Sequence, residues 1–191
     1  MKAPEQFMQN MQTLLGEDYQ AYAASFLMPS CRGLRLNTVR KIPDLNTLPF
    51  LDGKIAYVQN GYYLKQDAQP AKHPYHAAGL YYLQEPSAML PADRLPIDEG
   101  DFVLDLCAAP GGKSTQILSK LNGSGLLLAN DLSVSRAGVL LKNLVLSGNA
   151  NYFVSAEEPA MLAKVIGPVF DKILVDAPCS GEGMFRRDPD L

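Results

Sequence analysis

Val103-Leu-Asp-Leu-Cys-Ala-Ala-Pro-Gly-Gly-Lys-Ser114 reads as a buried strand, a glycine-rich turn and the start of a helix. Phe102 to Leu106 is a run of β-branched and large apolar residues broken only by Asp105. That composition suits an interior parallel strand covered on both faces. Pro110, Gly111 and Gly112 end the strand, because proline cannot donate to a ladder and glycine reaches backbone angles that other residues avoid. Ser114 or Thr115 can cap the helix that follows. Backbone N–H groups at such a turn face whatever lies above the sheet, and they favour an anionic group.

Two phosphate-binding turns compete for this reading, and both fail. The pattern G-x-x-x-x-G-K-[ST] fits at Gly112-Lys113-Ser114, but its first glycine should stand where Cys107 is. The dinucleotide pattern G-x-G-x-x-G fails because the two glycines are adjacent. A nucleoside cofactor without a pyrophosphate satisfies both failures, most simply S-adenosylmethionine, whose carboxylate would meet the backbone N–H groups. The next strand, Gly125 to Asn130, ends in Asp131, 20 residues after Gly111. That is the interval at which an acid grips ribose hydroxyls in doubly wound folds. The competing reading of Asp131 is a plain helix cap.

The chain has 191 residues, room for one medium domain or two small ones. A hydrophobic content of 47% beside 19% charged residues is that of a folded protein. No apolar run has the length of a membrane span and no signal peptide is visible, so a cytoplasmic protein without membrane contact is expected. Cys31, Cys107 and Cys179 are too scattered for a disulfide framework and suit a reducing compartment. The net charge of −3 does not advertise nucleic-acid binding. Residues 1–96 carry 9 basic and 8 acidic side chains, and residues 97–191 carry 8 and 12, so neither half is basic in bulk.

Along the chain, Pro4–Leu15 and Asp18–Leu27 carry helical stripes of Met, Phe, Tyr and Leu, expected to be core. Gly33–Val39 alternates as a strand, with Arg32, Arg35 and Arg40 around it on a solvated face that could also meet a phosphate backbone. Ile55–Gln59, Asn60-Gly61 and Tyr62–Lys65 predict a hairpin closed by a two-residue turn. Together these make a small α+β domain over residues 1–75. Residues 76–100 connect it to a second domain over 101–191. His73 and His76 stand three apart without further ligands nearby, so no metal site is expected. Gln84–Met89 predicts a helix start capped by Ser87. From Phe102, strands and helices alternate: helix 115–121, strand 125–130, helix 133–147 ended by Gly148, strand 152–155, helix 160–166 and strand 170–176. Such alternation means an α/β fold with a parallel sheet, which binds ligands at the carboxyl ends of its strands. Residues 107–113, 131, 155–158 and 176–180 therefore share one rim. Cys31 and Cys107 read as small buried hydrophobes. Cys179, in the loop Asp176-Ala-Pro-Cys-Ser-Gly-Glu-Gly183 beside an acid, reads as functional and facing the cofactor cleft.

Asp105–Ser114, Asn130-Asp131 with Arg136, Asp176–Asp188 and His73–Met89 together resemble the Sun-type RNA 5-cytosine methyltransferases. The closest branch is the bacterial RsmF-like one, which modifies small-subunit (16S) ribosomal RNA. The resemblance covers essentially the whole chain and implies a class I, Rossmann-like methyltransferase sheet, here its first four strands, behind an RNA-contacting domain. It also implies that Cys107, Ala108, Ala109, Pro110, Gly111, Gly112 and Lys113 hold the methionine part of S-adenosylmethionine, and that Asp131 holds the ribose. Arg136 belongs to the same set, and Asp176 lies beside the methyl donor and the target base. Where relatives often place an acid near the adenine, this chain has Ala156 followed by Glu157 and Glu158, and the resemblance does not assign the role to one of them.

In that family a thiolate adds to carbon 6 of cytosine and makes carbon 5 nucleophilic. An acid near N3, a role for Asp176, stabilises the adduct, and the target base must be unpaired or flipped out. Cys179 matches the cysteine that assists product release. The attacking thiol comes from a Thr-Cys motif that this chain does not contain, so a fragment that carries the cofactor site without turning over is expected. It is expected to be a monomer whose partner is ribosomal RNA. The other reading is a catalytically inactive RNA-binding or assembly module. An NAD-type oxidoreductase is argued against by the absent G-x-G-x-x-G.

Overall fold

A computed structural model describes residues 3–42, 44–179 and 181. The chain divides into two units, one of Met1–Ser30 with Pro178–Leu191 and one of Cys31–Ala177. In the first, helix α1 (Glu5–Leu15) runs through a 3₁₀ turn at Gly16–Asp18 into α2 (Tyr19–Ser25). Both expected helices form, but their apolar stripes do not become core. No residue of either helix is buried, and Leu14 is 76% exposed. Helices of eleven and seven residues have too little surface to enclose one another.

The second unit contains two sheets. The smaller is antiparallel and four-stranded: β1 (Gly33–Leu36), β2 (Leu51–Lys54), β3 (Gly61–Leu64) and β4 (Tyr81–Leu83), in the order β2-β3-β1-β4. Leu34, Leu48, Leu64 and Tyr81 form its core. The hairpin exists, but not with the predicted turn. Its first strand is Leu51–Lys54, and Ile55–Asn60 is a loop closed by Ile55 N–H donating to the Gly61 carbonyl at 2.9 Å. Neither Asn60 nor Gly61 takes a positive φ. Gly61 is required by packing instead, since a Cβ there would stand 2.9 Å from the Cβ of Val58. Ile55 and Val58 turn inward from this loop onto Met89 as a second small core, which outweighs the alternating pattern.

A four-residue helix α3 (Pro74–Ala77) starts at His73, whose Nδ1 accepts from the Tyr75 N–H at 3.2 Å. Helix α4 (Pro86–Arg94) is capped by Glu85, not Ser87: the Glu85 carboxylate accepts from the Ala88 N–H at 3.0 Å, and the Ser87 hydroxyl donates to that carboxylate. A carboxylate reaches the free N–H groups of a first turn with more charge than a hydroxyl does. The Lys120 ammonium donates to the carbonyls of Asp93 and Leu95 at the other end of α4.

The larger sheet is wholly parallel: β5 (Phe102–Asp105), β6 (Leu126–Asn130), β7 (Tyr152–Ser155) and β8 (Lys172–Leu174), ordered β7-β6-β5-β8. Helices α5 (Gly112–Leu121), α6 (Val134–Ser147) and α7 (Pro159–Ile166) connect the strands. Val103, Leu127 and Ala129 of the strands pack on Ile117, Leu118, Leu121, Leu140 and Leu144, all completely buried. This is the α/β, Rossmann-like architecture expected. Gly148, at φ +82°, ends α6 as predicted.

Candidate functional site

The carboxyl ends of β5, β6 and β8 are tied into one rim by the loop after β5. Leu106 N–H donates to the Leu174 carbonyl at 2.9 Å and Ala108 N–H to the Asn130 carbonyl at 2.7 Å. The Ala109–Pro110 bond is cis, and Gly111 sits at φ +112° in a tight turn where its N–H meets the Ala108 carbonyl at 2.8 Å. One face of α6 holds this turn from behind at helical spacing. Arg136 donates to the Ala109 carbonyl at 3.0 Å, Asn143 donates to the Pro110 carbonyl at 2.7 Å, and Leu140 packs where a Cβ on Gly111 would fall.

Asp131 is 3% exposed. Its Oδ2 accepts from the Ala109 N–H at 3.2 Å and pairs with Arg136 at 3.2 Å, while its Oδ1 accepts from the Ser133 N–H at 3.1 Å. The cap of α6 is Ser133, so Asp131 is not its cap residue. Lys113, on the first turn of α5, pairs with Asp176 beyond β8 at 2.5 Å. Asp131 and Arg136 are thus tied to the turn at Ala109 and Asn143 to it at Pro110, while Lys113, three residues after Pro110, pairs separately with Asp176.

Neither predicted cap of α5 acts as one. The helix starts at Gly112 with no side-chain cap. The Ser114 hydroxyl donates to Asp105 Oδ2 at 2.6 Å and that of Thr115 to the Gly112 carbonyl at 3.0 Å. The first N–H groups of α5 are left by helix geometry without intrahelical acceptors. Asp105 is wholly buried, and burial pushes its carboxyl up to about 6, opposed by the Ser114 hydrogen bond and by Lys113. Cys107 is half-buried and Cys31 exposed, so neither is the buried hydrophobe expected. Burial, then the charges of Asp131, Asp105 and Asp176, push the Cys107 thiol up, which keeps it protonated. It lies on a loop, where the strand pattern cannot bury it.

Asn130 is marked in the sequence only as part of the Asn130-Asp131 motif, not for its structural role at the rim. It is 1% exposed and donates to the Leu106 and Glu157 carbonyls, while its Oδ1 accepts from the Ser155 hydroxyl and the Glu157 N–H. A buried amide ending an apolar strand was the available signal. Arg35 is likewise 4% exposed rather than on a solvated face, which removes it from any contact with a phosphate backbone. Arg32 is engaged by the Gln66 and Ala68 carbonyls, and Arg40 remains exposed. Cys179 is exposed and falls in the other unit. Ser180 and 182–188 of the last motif lie outside the described residues. Among the described residues, no group of three or more His, Cys, Asp and Glu could hold a metal ion, and no helix is long and apolar enough to cross a membrane.

The donors and acceptors on the rim suit a zwitterionic nucleoside: helix N–H groups and Lys113 for a carboxylate, Asp131 for hydroxyls. A parallel sheet with this rim defines the class I methyltransferases. Residues 92–191 match the family 16S rRNA methyltransferase RsmB/F, and residues 3–86 match the N-terminal domain of 16S rRNA methyltransferase RsmF. The chain belongs to this family of S-adenosylmethionine-dependent rRNA methyltransferases. It is 38% identical to the ribosomal RNA small subunit methyltransferase F of Shewanella piezotolerans, over 91% of this chain and 38% of that protein. It is 37% identical to the protein of that name from Erwinia tasmaniensis, over 98% of this chain and 42% of that one. The chain thus spans about two fifths of the length of these relatives. A solved methyltransferase homolog from Pyrococcus horikoshii superposes with a TM-score of 0.77 at 26% identity, over 94% of this chain and 65% of that one.

Proposed function

We propose that this chain is the cofactor-binding part of an S-adenosylmethionine-dependent methyltransferase acting on carbon 5 of a cytosine in small-subunit ribosomal RNA. The observation that carries the reading is the joining of the Cys107–Lys113 turn, Asp131, Arg136 and Asp176 at the rim. S-adenosylmethionine bound there supplies an electrophilic methyl group on a sulfonium. The first N–H groups of α5 and Lys113 meet the anionic end of the cofactor, and Asp131, oriented by Arg136, accepts from ribose hydroxyls. Glu157, whose N–H is fixed by Asn130 at 3.0 Å, is the acid on the adenine side, since Glu158 leaves the rim as the residue before α7. Asp176, held by Lys113, stands for the acid beside N3 of the base, and Cys179 for the thiol of product release. The antiparallel sheet, within residues 1–75 apart from β4, is the RNA-facing domain, with Lys41, Lys54, Lys65 and Lys72 exposed in its connections and edges. The family match over residues 3–86 supports that assignment. The sequence has no Thr-Cys pair, so binding without turnover is the expectation for these 191 residues.

Calorimetric titration with S-adenosylmethionine tests the reading. Wild-type protein should bind, and Asp131→Ala should bind at least about tenfold more weakly, the loss expected when a charged hydrogen-bond acceptor is removed. No binding by wild-type chain that circular dichroism shows to be folded would overturn the cofactor role and favour an RNA-binding scaffold.

A further inference from the structure

The rim is also held from the small sheet, through one buried side chain. Arg35 lies on β1 opposite Gly61 of β3 and Tyr82 of β4. Its Nη2 donates to the Gly112 carbonyl at 3.1 Å and to the Thr115 hydroxyl at 2.6 Å, both on the first turn of α5. The end of β4 grips the same residue, because a Cβ on Gly112 would lie 3.0 Å from the Gln84 amide and 3.2 Å from the Tyr82 ring. Lys113 and Ser114, which reach Asp176 and Asp105, follow Gly112 directly.

Arg35 obtains little else. No carboxylate among the described residues forms an ion pair with it, and its Nε is buried without a partner. Burial pulls its pKa down to about 10, so the guanidinium stays charged at neutral pH. An apolar side chain of similar volume could close the interface without burying an unpaired charge. What the guanidinium adds is one charged nitrogen, Nη2, that donates to two atoms of α5 from a rigid planar group.

We infer that Arg35 is a positioning residue for the cofactor site, holding the first turn of α5 from the small sheet so that cofactor affinity depends on that sheet. The inference rests on the proposed cofactor reading. Its distinguishing consequence is that affinity and global stability should separate. In the 191-residue chain, Arg35→Met should weaken S-adenosylmethionine binding by about tenfold or more, the range expected for lost hydrogen bonds to a charged group. Arg35→Lys, which keeps a donor, should fall between the two. Leu36→Ala, a cavity beside the small core that leaves Arg35 in place, should lower the melting temperature and leave affinity unchanged. Unchanged affinity in folded Arg35→Met, or equal weakening in Leu36→Ala, would overturn the inference. If Arg35→Met does not fold, Thr115→Val takes its place, with weakened binding expected and unchanged binding overturning it. Failure of wild-type protein to bind removes the cofactor reading and this inference together, whereas binding that ignores Arg35 removes only the latter.

Discussion

Asp105 shows how one residue ties the stability of the sheet to pH. In the sequence it is only the polar break in an apolar strand. In the fold it is wholly buried at the end of β5 and held by the Ser114 hydroxyl, with its carboxyl raised from 3.8 to about 6. A carboxyl raised by folding favours the native state while protonated, and that contribution is lost as pH rises from about 4 through 6. Asp105→Asn keeps an acceptor for Ser114 and cannot ionise. Its stability relative to wild type should therefore climb between pH 4.5 and 7.5, by on the order of 2 kcal/mol at 1.36 kcal/mol per unit of pKa shift. Urea denaturation at the two pH values measures this, and a difference independent of pH would refute it. The apolar pattern showed that this strand is interior. That its one acid would be left with an oxygen unpartnered could not be read, because it depends on what surrounds the strand end.

At the scale of elements, the alternation of strand and helix from Phe102 onward was legible, because a parallel sheet demands apolar runs and capped crossovers. Helix ends were less so, since Glu85 and Gly111 take positions the pattern assigned to Ser87 and to Ser114 or Thr115. Caps are settled by which group reaches the free N–H groups, and that depends on how the loop before the helix is held. Two glycines make the point testable. Gly111→Ala would place a side chain at φ +112° with its Cβ 3.2 Å from Leu140, and should cost roughly 1–3 kcal/mol of stability, as positive-φ strain does. Gly79→Ala should be worse, since at φ +72° its Cβ would stand 2.2 Å from the Leu146 carbonyl oxygen, where the small sheet's connection meets α6. Thermal unfolding of the two variants ranks them, and Gly79→Ala melting above Gly111→Ala would contradict this account.

For the molecule as a whole, apolar surface is exposed on the parallel sheet. Phe153 on β7 is 64% exposed, Ile173 on β8 is 52%, and Val175 just beyond it is 57%. β7 and β8 are the outer strands of this sheet. Exposed apolar side chains on strands that have no outer neighbour among the described residues promote association. Against the monomer expected from the sequence, sedimentation velocity should show self-association of the 191-residue chain that Phe153→Lys with Ile173→Lys reduces, without lowering the melting temperature. Unaltered association in the double variant would place the contact elsewhere.

The order of strands and helices, the glycine-rich turn and the acid 20 residues beyond Gly111 were determined by the sequence itself, because each follows from residues near one another in the chain. Only the tertiary structure decided that Arg35 is buried against Gly112, 77 residues away, and that Ile55 and Val58 leave their strand for a core with Met89. It also decided that Cys107 stays half-exposed. Local pattern specifies which backbone shapes are cheap. Which polar groups lose their water, and which partners replace it, is set by surfaces that meet only when the chain has folded.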